Sequence, residues 1–186
     1  DPVALAMPNR AHYQVLLSTC AANGEAAAAE QLRAQMDAEG VPVDGSVFST
    51  LIFAHERAKQ PQRALELLDE LEAMPPSPEP KGPSGVEPLT FAYASTIRAH
   101  EAAGESKAAL ALFERLEASG VHADSLCYCA ALGACRRAGA AERARGILQQ
   151  AREKMGVPPT SAMYTLAMAA CNAGGMWEAA LSLFDE

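Results

Sequence analysis

Apolar residues recur along this chain at helical spacing, in runs closed by glycine. Between Phe91 and Ala103 one stripe holds Tyr93, Ile97 and His100, and Gly104 then interrupts the pattern. A second run, Ser106 to Ser119, sets Ala109, Leu112, Phe113 and Leu116 at the same spacing. Gly120 stands where a helix C-terminus favours a left-handed residue, and Asp124 is placed to cap the helix that follows Val121-His122-Ala123. An earlier stretch, Gly40-Val41-Pro42-Val43-Asp44, closes in the same way. The pattern predicts helices in pairs, each pair too narrow to bury its own apolar stripes.

The pairs repeat. Tyr13, Phe48, Tyr93, Tyr128 and Tyr164 are 35, 45, 35 and 36 residues apart. Leu32, Leu67, Leu112, Ile147 and Leu183 share those intervals, as do Cys20, His55, His100, Cys135 and Cys171, and again Gly24, Lys59, Gly104, Gly139 and Gly175. Four series with one irregular spacing identify a repeat array. Met36, Leu71, Leu116 and Ala151 run 35, 45 and 35, whereas Gly40, Gly85, Gly120 and Gly156 run 45, 35 and 36, so ten extra residues fall between Leu71 and Gly85. That interval holds the Pro-rich stretch 74–84, which cannot be helical and reads as an exposed loop. The expected units are 10–44, 45–89, 90–124, 125–160 and an incomplete 161–186, forming one all-α solenoid in which each pair is covered by its neighbours.

Composition agrees with helix. Hydrophobic residues make up 49% of the 186 but aromatics only 5%, leaving Ala and Leu to pack the core. No apolar run approaches the roughly 20 residues of a membrane span, and Asp1-Pro2-Val3-Ala4 does not open a secretory signal. The five cysteines lack paired metal-site spacing and read as small buried hydrophobes in a reducing compartment. Leu181 to Glu186 breaks off within an amphipathic run without cap or stop signal, as an excerpt of a longer protein would.

The fourth unit reads Tyr128-Cys129-Ala130-Ala131-Leu132, then Cys135-Arg136-Arg137-Ala138-Gly139, and ends Gly156-Val157-Pro158-Pro159-Thr160. The fifth gives Tyr164-Thr165-Leu166-Ala167-Met168, then Cys171-Asn172-Ala173-Gly174-Gly175, then Trp177-Glu178-Ala179-Ala180-Leu181-Ser182-Leu183-Phe184. Period, opening aromatic, mid-unit glycine and unit ending together resemble the pentatricopeptide repeat family over nearly the whole chain. The resemblance implies a right-handed superhelix in a chloroplast or mitochondrial protein, soluble or peripheral. It also implies single-stranded RNA bound along the concave face of the first helices, one base per unit.

In that family a base is read by the residue after the opening aromatic together with the last residue of the unit. The positions carried over are Gln14 with Asp44, Ser49 with Leu89, Ala94 with Asp124, and Cys129 with Thr160, while Thr165 has no partner. The usual first member is Asn, Ser or Thr and the usual second is Asp, Asn, Ser or Thr. No complete pair meets both conditions, and Ala94 and Leu89 have no polar side-chain atom to offer a base. A basic residue two positions before the mid-unit glycine would face phosphate. Those positions hold Ala22, Arg57, Ala102, Arg137 and Ala173, leaving Arg57 and Arg137 as phosphate candidates.

Charge points both ways. The chain carries a net −8, yet its first helices hold Arg10, Arg57, Lys59, Arg98, Arg136 and Arg137 against Glu56 and Glu101, a net of +4. The rest is therefore strongly acidic. Neither a metal nor a cofactor is expected: the Cys20, His55, His100, Cys135, Cys171 series supplies one such residue per unit, too widely spaced for one ion. Cys127 and Cys129 fall on different sides of a helix, and Trp177 is placed to pack between helices. None of His12, His55, His100 and His122 is flanked by a nucleophile and acid, so no catalysis is expected. With few phosphate contacts and incomplete base-reading pairs, the leading expectation is an adaptor or peripheral subunit holding a protein partner in a photosynthetic, respiratory or ribosomal assembly. The alternative is an organellar single-stranded RNA-binding factor in RNA processing, stability or translation.

Overall fold

The computed structural model describes residues 9–75, 87–156 and 158–184. Ten helices occupy them, in five consecutive pairs: α1 (Arg10–Asn23) and α2 (Ala26–Ala38), α3 (Gly45–Arg57) and α4 (Pro61–Glu72), α5 (Pro88–Ala102) and α6 (Ser106–Ser119), α7 (Ser125–Ala138) and α8 (Ala141–Lys154), α9 (Ser161–Ala173) and α10 (Trp177–Phe184). The Pro-rich insertion lies outside the described residues from Pro76 onward, as does Val157.

Local chemistry explains the boundaries. Asn9, Asp44, Asp124 and Thr160 are extended N-caps whose side chains accept backbone N–H groups of α1, α3, α7 and α9. The α5 helix starts earlier than its hydrophobic stripe suggests, because Pro88 stands at its first positions with φ already set for helix. Gly120 ends α6 in the left-handed region at φ 75°, as the sequence pattern requires.

Two layers result. The first helices pack in series, α1 on α3, α3 on α5, α5 on α7 and α7 on α9, whereas the backbone of each second helix lies close only to its own first helix and the next one. Among the described residues no two second helices bring their backbones close together. The first-helix layer is thus the more closely packed, the arrangement that puts it on the inside of a curved solenoid. Between the layers runs one continuous core in which Leu17, Leu51, Ile97 and Leu132 from first helices meet Met36, Leu68, Phe113 and Leu148 from second helices, each at most 1% exposed. Phe113 meets Tyr128 edge-on, with ring centroids 5.5 Å apart.

Long charged side chains bridge the gaps between second helices. Arg33 pairs with Glu70 at 2.7 Å, Arg63 with Glu30 at 2.9 Å, Arg115 with Asp69 at 2.6 Å and also with Glu72, Arg143 with Glu114, and Lys154 with Glu117 at 2.7 Å. Six acidic side chains of the second helices are held in this ladder. Trp177 departs from expectation: it is 62% exposed and does not pack between helices, because it opens α10, over which no further described helix lies.

Candidate nucleic-acid interface

The five residues that follow the opening aromatics start a stripe along each first helix, continued four and seven or eight positions later. On α3 it reads Ser49, Phe53, Glu56 and Arg57; on α5, Ala94, Arg98 and Glu101; on α7, Cys129, Gly133, Arg136 and Arg137. The α1 and α9 stripes, Gln14 to Ala22 and Thr165 to Ala173, carry no charge in their later positions. Charge is therefore concentrated on the three central helices.

The base-facing candidates divide by exposure. Gln14 is half-buried and Thr165 exposed, with the Thr165 hydroxyl donating to the Ser161 carbonyl at 2.8 Å. Neighbouring helices press on the middle of the stack, leaving Ser49 at 8% and Ala94 at 2% exposure. The Ser49 hydroxyl turns back to the Ser46 carbonyl at 3.0 Å. Cys129 is half-buried, and burial pushes its thiol up despite a hydrogen bond with Thr160.

The unit-ending candidates are helix caps. Asp44 accepts the Ser46 and Val47 amides at 3.1 and 3.2 Å and also pairs with Arg10. Asp124 accepts the Cys127 amide at 3.0 Å, and Thr160 accepts that of Met163 at 3.4 Å. Leu89 does not fit this series: it lies inside α5 and packs against the core. The pairs Gln14 with Asp44, Ala94 with Asp124, and Cys129 with Thr160 thus join a helix-face position to a cap, whereas Ser49 pairs with a residue that offers only carbon.

The cations of the first-helix layer are mostly engaged. Arg98 meets Glu56 at 2.6 Å; Arg137 meets Glu101 at 2.6 Å and Arg136 reaches the same carboxylate at 3.7 Å. Glu56 is 8% exposed, and burial raises its pKa against the opposing pull of Arg98. Arg57 is exposed and donates to the Ala22 carbonyl at 3.2 Å. The +4 count from the sequence already includes Glu56 and Glu101; what it leaves out is Asp44, which pairs with Arg10. Sequence reasoning counted Glu56 and Glu101 but did not show which arginines they hold; both occupy the register position that holds Arg136 in the fourth unit.

His55 and His100 are buried, with Nδ1 2.7 Å from Gln60 Oε1 and Glu105 Oε2 respectively, each tying the end of a first helix to the start of its partner. Cys135 and Cys171 are buried at the same register. Burial pushes the Cys135 thiol up to about 11, far from a reactive thiolate. No group of three or more described His, Cys, Asp or Glu residues is placed to hold a metal ion.

A family model described as the pentacotripeptide-repeat region of PRORP matches residues 9–172, and a PPR repeat model matches 162–186. The chain belongs to the pentatricopeptide repeat family. Its fold is similar to the crystal structure of the pentatricopeptide repeat protein PPR10 from maize, at 26% identity and TM-score 0.63, covering 96% of this chain and 24% of that one. It is also similar to PPR10 in complex with an 18-nt psaJ RNA element, at 25% identity and TM-score 0.55, covering 94% of this chain and 27% of that one. A cysteine-to-serine form of that complex gives the same figures. This chain therefore spans about a quarter of the length of those structures. No functionally curated protein matches the sequence.

These matches correct the leading expectation of a protein-holding adaptor. Two of the similar structures are complexes of PPR10 with an 18-nt psaJ RNA element, so the RNA-binding alternative is the better supported of the two. The expectation gave too much weight to charge summed over the whole chain, although many of the acidic side chains lie on the second helices, away from the first-helix layer. Among the described residues no helix is long and apolar enough to cross a membrane.

Proposed function

We propose that this pentatricopeptide repeat array binds single-stranded RNA along its first-helix layer, without catalysing a reaction, as part of an organellar factor for RNA processing, stability or translation. The observation that carries the reading is structural likeness to an array solved with RNA, joined to helix stripes that set one polar or small position per unit beside a line of arginines. Read this way, units 10–44, 45–89, 90–124 and 125–160 and the incomplete 161–186 each address one nucleotide.

Selectivity would be uneven. Gln14 with Asp44 and Cys129 with Thr160 hold polar atoms on both sides, whereas Ser49 with Leu89 and Ala94 with Asp124 offer one side only. Arg57 and Arg137 are the phosphate-facing candidates, Arg137 only after it parts from Glu101.

The test is retention of a random single-stranded RNA pool at about 150 mM salt, followed by sequencing. Enriched motifs that weaken in the Arg57→Ala, Arg137→Ala double variant are expected, with duplex RNA of the same length bound less well. No retention of any single strand would end the proposal. Retention without enrichment would leave a backbone binder that does not read bases.

A further inference from the structure

We infer that Lys59 is a second backbone-phosphate contact beside Arg57, making the turn between α3 and α4 the electrostatic anchor for RNA on this array; the inference rests on the RNA-binding reading above. Lys59 breaks a pattern that the fold otherwise keeps. The same turn in the other four pairs holds Gly24, Gly104, Gly139 and Gly175, at φ 74°, 83°, 62° and 72°. Lys59 adopts the same conformation at φ 57° and is the sole non-glycine residue with positive φ among those described.

The hydrogen bonding shows that the turn is unchanged. The Lys59 amide donates to the Glu56 carbonyl at 3.0 Å and that of Gln60 to the His55 carbonyl at 2.9 Å; in the next pair Gly104 donates to Glu101 at 3.0 Å and Glu105 to His100 at 2.9 Å. A side chain in this region is sterically disfavoured, and lysine lacks the short polar group with which Asn or Asp offsets that cost. Nothing in the turn calls for lysine. Strain retained at one position is a reason to look for a use of the side chain.

The surroundings supply that use. Lys59 is exposed and has no ion-pair partner among the described residues, and Arg57, two residues earlier, is exposed with only a carbonyl to bond. The arginines of α5 and α7 are held by Glu56 and Glu101. Arg57 lies across the α1–α2 turn, its Cβ 3.4 Å from where a side chain on Gly24 would begin. Two cations without a carboxylate ion-pair partner among the described residues therefore sit at the C-terminal end of α3, the same end at which α5 and α7 carry their charges. A phosphate passing from one unit to the next meets them without first displacing a carboxylate. The chemical class they fit is the phosphodiester backbone, irrespective of base.

The test replaces Lys59 in the whole chain by Gly, which removes the charge and relieves the backbone together, and by Gln, which removes the charge alone. Binding is read by fluorescence anisotropy with a single-stranded RNA retained from the random pool, across a salt series. One phosphate contact to a single strand changes the salt slope by about 0.7, which extrapolates to roughly fourfold in affinity at 150 mM. Lys59→Gly is expected to melt a few degrees higher than the parent while binding about fourfold more weakly with a shallower salt slope. Lys59→Gln should show the same binding loss without the gain in melting temperature. Arg145→Gln, an equal charge change on α8 in the second layer, should leave the slope unchanged. If the parent binds and Lys59→Gly binds equally well with the same slope, Lys59 is not a phosphate contact. If the parent itself retains no single strand, it is the RNA-binding reading that fails.

Discussion

Changing Glu101 to Gln should tighten RNA binding. The Glu101 carboxylate lies 2.6 Å from Arg137 and 3.7 Å from Arg136, with its side chain 19% exposed and theirs 44% and 45%. Glutamine keeps the shape but removes the charge that competes with phosphate for both guanidinium groups. Each arginine released to a phosphate steepens the salt slope by about 0.7 and contributes roughly fourfold in affinity at 150 mM. One engaged arginine therefore gives about fourfold tighter binding, and two give on the order of fifteenfold. Stability should hardly change, because an ion pair with partners this exposed contributes about 0.2–1 kcal/mol. The assay is equilibrium anisotropy with one single-stranded RNA at four or five salt concentrations, comparing the parent with Glu101→Gln and Glu114→Gln. Glu114 partners Arg143 in the second layer, so its variant makes the same charge change away from the proposed RNA path. Equal affinities and slopes for Glu101→Gln and Glu114→Gln would refute the reasoning, since the gain would then reflect net charge alone.

Two further outcomes test the fold itself. Phe113→Ala removes a fully buried ring that joins α6 to α7 through Tyr128 and should cost about 3–5 kcal/mol, read by urea unfolding followed by circular dichroism; a loss below about 1 kcal/mol would mean that this junction is not a close-packed core. Tyr93 is buried and donates to Glu72, and burial first, then that hydrogen bond, lifts its phenol from 10 to about 12. Because the unfolded chain loses this proton near its ordinary value while the folded chain keeps it, stability should fall as pH rises from 10 to 12, by on the order of 2–3 kcal/mol from this group. Tyr93→Phe should therefore show a shallower alkaline decline in its urea midpoint, and an unchanged decline would contradict the assignment.

The architecture was legible in the sequence because a repeat states its geometry several times. Gly120 and Asp124 mark a helix end and a helix start, and the series through Tyr13 and Leu32 fix which residues share a register. The start of α5 was less legible, because Pro88 lengthens the helix ahead of its hydrophobic stripe and takes Leu89 out of the loop and into the helix. The candidate interface was legible as positions but not as chemistry. Residues Gln14, Ser49, Ala94, Cys129 and Thr165 follow from register alone, whereas the Arg98–Glu56 and Arg137–Glu101 pairs join residues 42 and 36 apart, across helices. A charge count along one helix cannot show which charges cancel against the next. Trp177 was misplaced for a related reason: periodicity assigns a position in the unit, but burial depends on whether another unit covers it.

The claim that RNA lies along the first-helix layer is tested most directly by photocrosslinking. A single-stranded RNA retained from the random pool, with 4-thiouridine at successive positions, would be crosslinked to the intact chain and the attached peptides mapped by mass spectrometry. Crosslinks falling on α3, α5 and α7, and advancing from one helix to the next as the label moves along the strand, are the predicted result. Crosslinks confined to α4, α6 and α8, or failing to move with the label, would contradict it.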